Sequence, residues 1–198
     1  MALPLPSPDD AAQQAAREAK QDALLVERVL QGDADAYGEL VTRHMRKAFA
    51  VAYRLLGHRE DAEDAVQDAF IRALERLDRL DRTRPFRPWF FRLVVNQALN
   101  ARRARTVRAT ELIPDATPSR TTSPEHDAHR AGLRDRLQAA LLELPEKQRL
   151  VIQLADLEEF TSAEIAGILD MPDGTVRWHL HQARRALREV LAPMKEET

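Results

Sequence analysis

The sequence predicts an all-α protein of two small helical domains joined by a flexible linker. Three observations carry that prediction. Only 6 of the 198 residues are glycine, and abundant Ala, Leu, Arg and Glu favour helix over sheet. Apolar residues recur at three- and four-residue spacing through most of the chain, the signature of amphipathic helices. Between residues 106 and 130 that spacing is lost, and Thr, Ser and three prolines collect in TVRATELIPDATPSRTTSPEHDAHR, as in a linker.

The elements follow in order. Residues 1–20, opening MALPLPSPDD, read as a disordered tail, and helical patterning starts near Asp22. In ALLVERVLQGD, Gly32 is suited to end the first helix and Asp33 to cap the next. A second helix, ADAYGELVTRHMRKAFAVAYRLLG, stops at Gly57 by the same logic. A third, HREDAEDAVQDAFIRALERL, places Ala62, Ala65, Val66, Ala69, Phe70, Ala73, Leu74 and Leu77 on one buried stripe. The loop DRTRPFRP then leads into a fourth helix, WFFRLVVNQALNARRAR. Patterning resumes with AGLRDRLQAALLELP, EKQRLVIQLADLEEF, TSAEIAGILD and GTVRWHLHQARRALRE. The predicted domains are residues 21–106 and 131–195, with 107–130 as linker.

Composition narrows the chemistry. Cysteine is absent, which excludes disulfides, thiol catalysis and thiolate metal sites and suits a reducing cytoplasm. No apolar run approaches the roughly 18 residues of a membrane helix, and the N-terminus lacks the basic region and long apolar core of a secretion signal. A soluble, cytoplasmic protein is expected. His179 and His181, two apart on a helix, point about 200° away from each other. His126 and His129 have no evident third ligand, so neither a metal nor a cofactor is expected. No nucleophile–base constellation or phosphate-binding glycine loop occurs, and no enzymatic activity is expected.

Charge is the sharper signal. The chain has a formal net charge of −2. Yet residues 59–81 hold eight acids against four arginines, and residues 82–110 hold eight arginines and no acid. Adjacent segments of opposite sign suit one basic and one anionic partner, or could pair with each other. Within the basic segment RPFRPWFFR interleaves arginines with Phe86, Trp89, Phe90 and Phe91, a pattern that can stack unpaired bases and neutralise phosphates. At least one of Trp89, Phe90 and Phe91 must instead be core.

TSAEIAGILDMPDGTVRWHLHQARRAL has the build of a helix-turn-helix. Thr161 and Glu164 fit a capping box, Pro172 and Gly174 fit the turn, and Asp173 can cap the second helix. On that helix Val176, Leu180, Ala183 and Leu187 share one face at about 100° per residue. Trp178, His181, Gln182 and Arg185 gather opposite, with Arg177 and Arg184 on the flank. Long polar side chains there are what major-groove reading requires, and the helix start can bind a phosphate. An ordinary amphipathic helix with a solvated basic face would look the same.

Together these features resemble the extracytoplasmic-function (ECF) group of bacterial RNA polymerase sigma factors, over about residues 22–108 and 131–192. DAEDAVQDAF is similar to the family's polymerase-binding helix, PFRPWFFRLVVNQALNARR to the segment that reads and opens the −10 element, and LPEKQRLVIQL with the helix-turn-helix to the −35-binding domain. The resemblance implies the function, promoter-specific initiation, and three partners: core RNA polymerase, promoter DNA and an anti-sigma factor. It assigns polymerase binding to Asp61, Asp64, Gln67 and Asp68. It assigns the −10 element to Arg84, Phe86, Arg87, Trp89, Asn96, Asn100 and Arg103, where a flipped base needs a pocket to offset a cost of a few kcal/mol. It assigns the −35 element to Arg177, Trp178, His181, Gln182 and Arg185, with Thr161, Gly174 and Thr175 at phosphates. Trp178 stands where the family usually has serine, and Asp170 where glycine usually ends the first helix. A helix-turn-helix regulator with an N-terminal sensing or dimerisation domain is the alternative; it leaves the Arg–aromatic segment idle. A protein that mimics or sequesters such a factor is a third.

Overall fold

The computed structural model describes residues 8–111 and 139–191. Most of the expected linker and the first seven residues of the expected tail lie outside them. The described residues are helices and turns without strands, and the chain divides between Arg102 and Arg103 into two units.

The first unit opens with α1 (Pro8–Leu30). The tail expected over residues 1–20 is therefore helical from Pro8, because AAQQAAREAK is rich in the strongest helix formers and proline is tolerated in a first turn. Gly32 takes a left-handed φ of 96°, and the Asp33 side chain accepts a 3.2 Å hydrogen bond from the Ala36 N–H to start α2 (Ala34–Leu56). Gly57, at φ 72°, ends α2 as expected. Then come α3 (Arg59–Glu75), a 3₁₀ turn (Leu77–Arg79) and α4 (Phe86–Glu111), whose residues beyond Arg102 fall in the second unit. α4 starts three residues before, and ends six residues after, the stretch WFFRLVVNQALNARRAR.

Small side chains let α3 pack closely: Ala62, Ala65, Ala69 and Ala73 are buried beside Val66 and Phe70. α2 contributes Ala36, Leu40, Ala48, Val51 and Ala52 at near-helical spacing. Phe86, Phe90, Phe91, Val94, Val95 and Ala98 of α4 complete the core, and the Phe70 and Phe90 rings lie 4.5 Å apart. The half-buried Tyr37 hydroxyl donates to the Phe70 carbonyl, and desolvation pushes its pKa up to about 12. Leu74 is a correction to the expected stripe: it is 50% exposed. It falls about 100° from the stripe's centre on the helical wheel.

The second unit runs from helical residues 139–143 through α5 (Glu146–Ile152), a π-helical turn (Gln153–Leu157), α6 (Ser162–Leu169) and α7 (Asp173–Leu191). Leu144, Ile152 and Ala183 form a core against which Leu141, Leu180, Ala186 and Leu187 pack. The expected capping box is present: the Thr161 hydroxyl accepts from the Glu164 N–H at 3.2 Å, while the Glu164 carboxylate accepts from the Thr161 N–H at 2.9 Å. α6 ends on Asp170, at φ 53° and ψ 52°, a left-handed position that Asp tolerates better than most residues. Asp173 is not the cap. It is the first helical residue of α7, and the Pro172 carbonyl accepts the first bonds, from Thr175 and Val176.

Candidate nucleic-acid and polymerase interfaces

α7 turns Val176 and Ala183 fully inward and leaves Arg177, Trp178, His181 and Arg185 exposed, with Gln182 half-buried. Trp178 is 55% exposed, its ring set edge-on against His179 at 4.9 Å. Three of the arginines here are already matched by carboxylates. Arg177 lies 2.7 Å from Asp173 and Arg185 3.2 Å from Glu189. Arg184 forks onto both oxygens of Asp156 at 2.5 and 3.1 Å, which holds its pKa above the ordinary arginine value and ties α7 to the π-helical turn. Burial and the nearby Lys147 push the His179 pKa down, and its buried Nδ1 has no hydrogen-bond partner. The Thr161 hydroxyl is committed to its capping box. Gly174 is exposed with nothing near where a Cβ would stand, and Thr175 is half-buried beside it. Residues 139–189 carry six basic against nine acidic residues, so any excess of positive charge here is local to one face rather than general to these residues.

α4 divides as cleanly. Phe90, Phe91, Val94, Val95 and Ala98 face the core, while Asn96 and Asn100 are exposed one turn apart, with Arg103 a further turn along. Trp89, seven residues before Asn96, is half-buried on the same side. The preceding loop is shaped by Asp81, whose carboxylate accepts from the Thr83 N–H at 3.0 Å and the Thr83 hydroxyl at 2.7 Å. Those bonds hold its pKa below the ordinary carboxylate value. Arg84 projects from this loop, 3.5 Å from Asp81 and largely exposed. Two residues expected at DNA are placed otherwise. Phe86 is only 2% exposed, its ring stacked on Phe90 at 5.6 Å within the core. Arg87 is mostly covered, 3.7 Å from Glu18 of α1.

On α3, Asp64, Gln67 and Asp68 are exposed opposite the alanine stripe, and Asp61 is half-buried at its edge. Gln97 of α4 donates to Asp68 at 3.2 Å. Ile71 and Leu74, 49% and 50% exposed, extend the same face with apolar surface. The sequence reading left out the first and buried the second, although the wheel places both on the acidic side.

Comparison with known proteins gives this geometry its family. Residues 40–108 match Sigma-70 region 2, and residues 134–187 match Sigma-70, region 4. The chain is 33% identical over 181 residues to the ECF RNA polymerase sigma factor SigW of Bacillus subtilis, covering 84% of this chain and 94% of that protein. It is 33% identical over 183 residues to the ECF RNA polymerase sigma-E factor of Escherichia coli K12, covering 87% and 95%. Among solved structures, CnrH in complex with the cytosolic domain of CnrY superposes with a TM-score of 0.66 at 29% identity, covering 87% of this chain and 98% of that one. With two region matches in order and full-length relatives above 30% identity, the chain belongs to the ECF family of RNA polymerase sigma factors.

Proposed function

We infer that this sigma factor divides its task among three outward faces. The acidic face of α3, Asp61, Asp64, Gln67 and Asp68 with Ile71 and Leu74, docks on core RNA polymerase. Arg84, Trp89, Asn96, Asn100 and Arg103 capture the opened −10 strand. Arg177, Trp178, His181, Gln182 and Arg185 on α7 read the −35 groove, where Gly174 and Thr175 supply helix-start N–H groups to a phosphate. Phe86 and Arg87 support the −10 surface from within. The observation that carries this reading is the split of α4: aromatic and aliphatic inside, amide and guanidinium outside, next to a cationic loop. A regulator with an N-terminal sensing domain has no use for that stripe. We also infer a protein antagonist, an anti-sigma factor, that covers the Ile71–Leu74 surface. The CnrH–CnrY complex, on a related fold, supports a protein partner of this kind.

The experiment is run-off transcription by core polymerase on a library of genomic fragments, with and without this chain. New start sites sharing two spaced elements are expected. Asp64→Lys with Asp68→Lys should abolish them by preventing polymerase binding. Retained initiation in that double variant would refute the assignment of α3.

A further inference from the structure

α1 carries a device that the division of labour above does not use. Asp22 is completely buried, and its Oδ2 lies 3.0 Å from the His44 Nε2 of α2. Its Oδ1 accepts no hydrogen bond and has only the Arg43 guanidinium, at 3.5 Å. A buried carboxylate so incompletely paired costs stability relative to an apolar side chain. What it achieves is orientation. The His44 ring is turned onto three aromatic rings of α4: Phe86 at 5.5 Å, Phe90 at 5.9 Å and Phe91 at 6.1 Å. Phe86 is the first residue of α4 and packs on Trp89 at 5.7 Å. One turn before Asp22, Glu18 reaches Arg87 at 3.7 Å. α1 therefore grips the first turn of α4 twice, through Glu18–Arg87 and through Asp22–His44–Phe86.

We propose that Glu18, Asp22 and His44 are positioning residues for capture of the −10 strand. They hold the start of α4, and with it Trp89 and the Asp81–Thr83 loop, in the attitude that receives an unpaired base. The inference rests on the reading of α4 given above. It makes α1 part of the DNA-opening apparatus although none of these three residues touches DNA.

The test uses full-length protein assembled with core polymerase and the labelled single-stranded −10 strand of a promoter recovered by run-off selection. Asp22→Asn keeps the volume and loses the charge. Glu18→Gln, on a partly exposed residue, leaves folding intact and decides the matter if Asp22→Asn does not fold. We expect −10 strand affinity to fall about tenfold in Asp22→Asn and about threefold in Glu18→Gln, from the weakening of one charged contact each. Polymerase affinity, read through α3, should stay within about twofold in both. The sign is diagnostic, because deleting a negative charge near DNA otherwise strengthens binding. Unchanged or tighter −10 binding in the folded variants overturns the proposal. So does an equal loss of polymerase affinity, which would mark a merely structural role. Asn96→Ala is the control: if it weakens strand binding and the other two do not, the inference alone fails. If Asn96→Ala has no effect either, the reading of α4 falls and the inference with it.

Discussion

Gln97 of α4 donates a 3.2 Å hydrogen bond to Asp68 of α3, joining the helix proposed to hold DNA to the helix proposed to hold polymerase. The bond is exposed, so it adds at most about 1 kcal/mol to stability. Its weight is in aiming a carboxylate. Gln97→Ala should leave the denaturation midpoint nearly unchanged and weaken polymerase binding two- to fivefold, an order-of-magnitude expectation for one misaimed polar contact. Titration of labelled core polymerase measures it, and unchanged affinity would mean that Asp68 needs no such aim.

Ile71→Glu and Leu74→Glu separate surface from core. Both residues are half-exposed, so stability should shift by no more than about 0.5 kcal/mol. Polymerase affinity should drop at least about tenfold if these side chains meet an apolar partner. Leu77→Glu, one turn on and buried, should prevent folding of the first unit.

His179 should make the second unit acid-sensitive. Burial and Lys147 lower its pKa below the ordinary 6.5. The unfolded chain therefore binds a proton first, and stability present above about pH 6.5 is lost as pH falls through the folded value. His179→Leu removes that titration and the unpartnered Nδ1. Its thermal midpoint should decline less between pH 7 and pH 5 than that of the parent. Parallel declines would show that His179 is not the titrating group.

Tyr37 should contribute to loss of stability in alkali. Its phenol is raised from 10 to about 12 in the fold, so the unfolded chain ionises first and stability falls between about pH 10 and pH 12. Tyr37→Phe should flatten that part of the profile while losing about 1 kcal/mol at neutral pH with the bond to the Phe70 carbonyl. Urea midpoints across pH 8–12 for the two proteins give both numbers.

What the sequence disclosed was local. Gly32, Gly57 and the Thr161–Glu164 box are each decided within a few residues, and each is found as expected. The two faces of α7 follow from spacing alone. Failures came where a distant partner or a competing preference decides. Pro8 and its alanine-rich sequel look like a tail by composition, but helix propensity prevails. Phe86 sits in an arginine-rich stretch that looks solvent-facing, yet its ring is claimed by His44 and Phe90. Asp22 meets His44 across 22 residues, and Asp156 meets Arg184 across 28, separations that no spacing rule spans.

The alanines at 62, 65, 69 and 73 reach beyond packing. All four are at most 5% exposed, and an added methylene in a packed core forces a shift costing about 1–3 kcal/mol. The inner edge of α3 is therefore fixed by its own packing, while its acidic outer edge is constrained only by the proteins that press against it. In the descendants of this gene, the two sides of the helix should answer to different pressures, the spine to the fold and the outer side to the partners it meets.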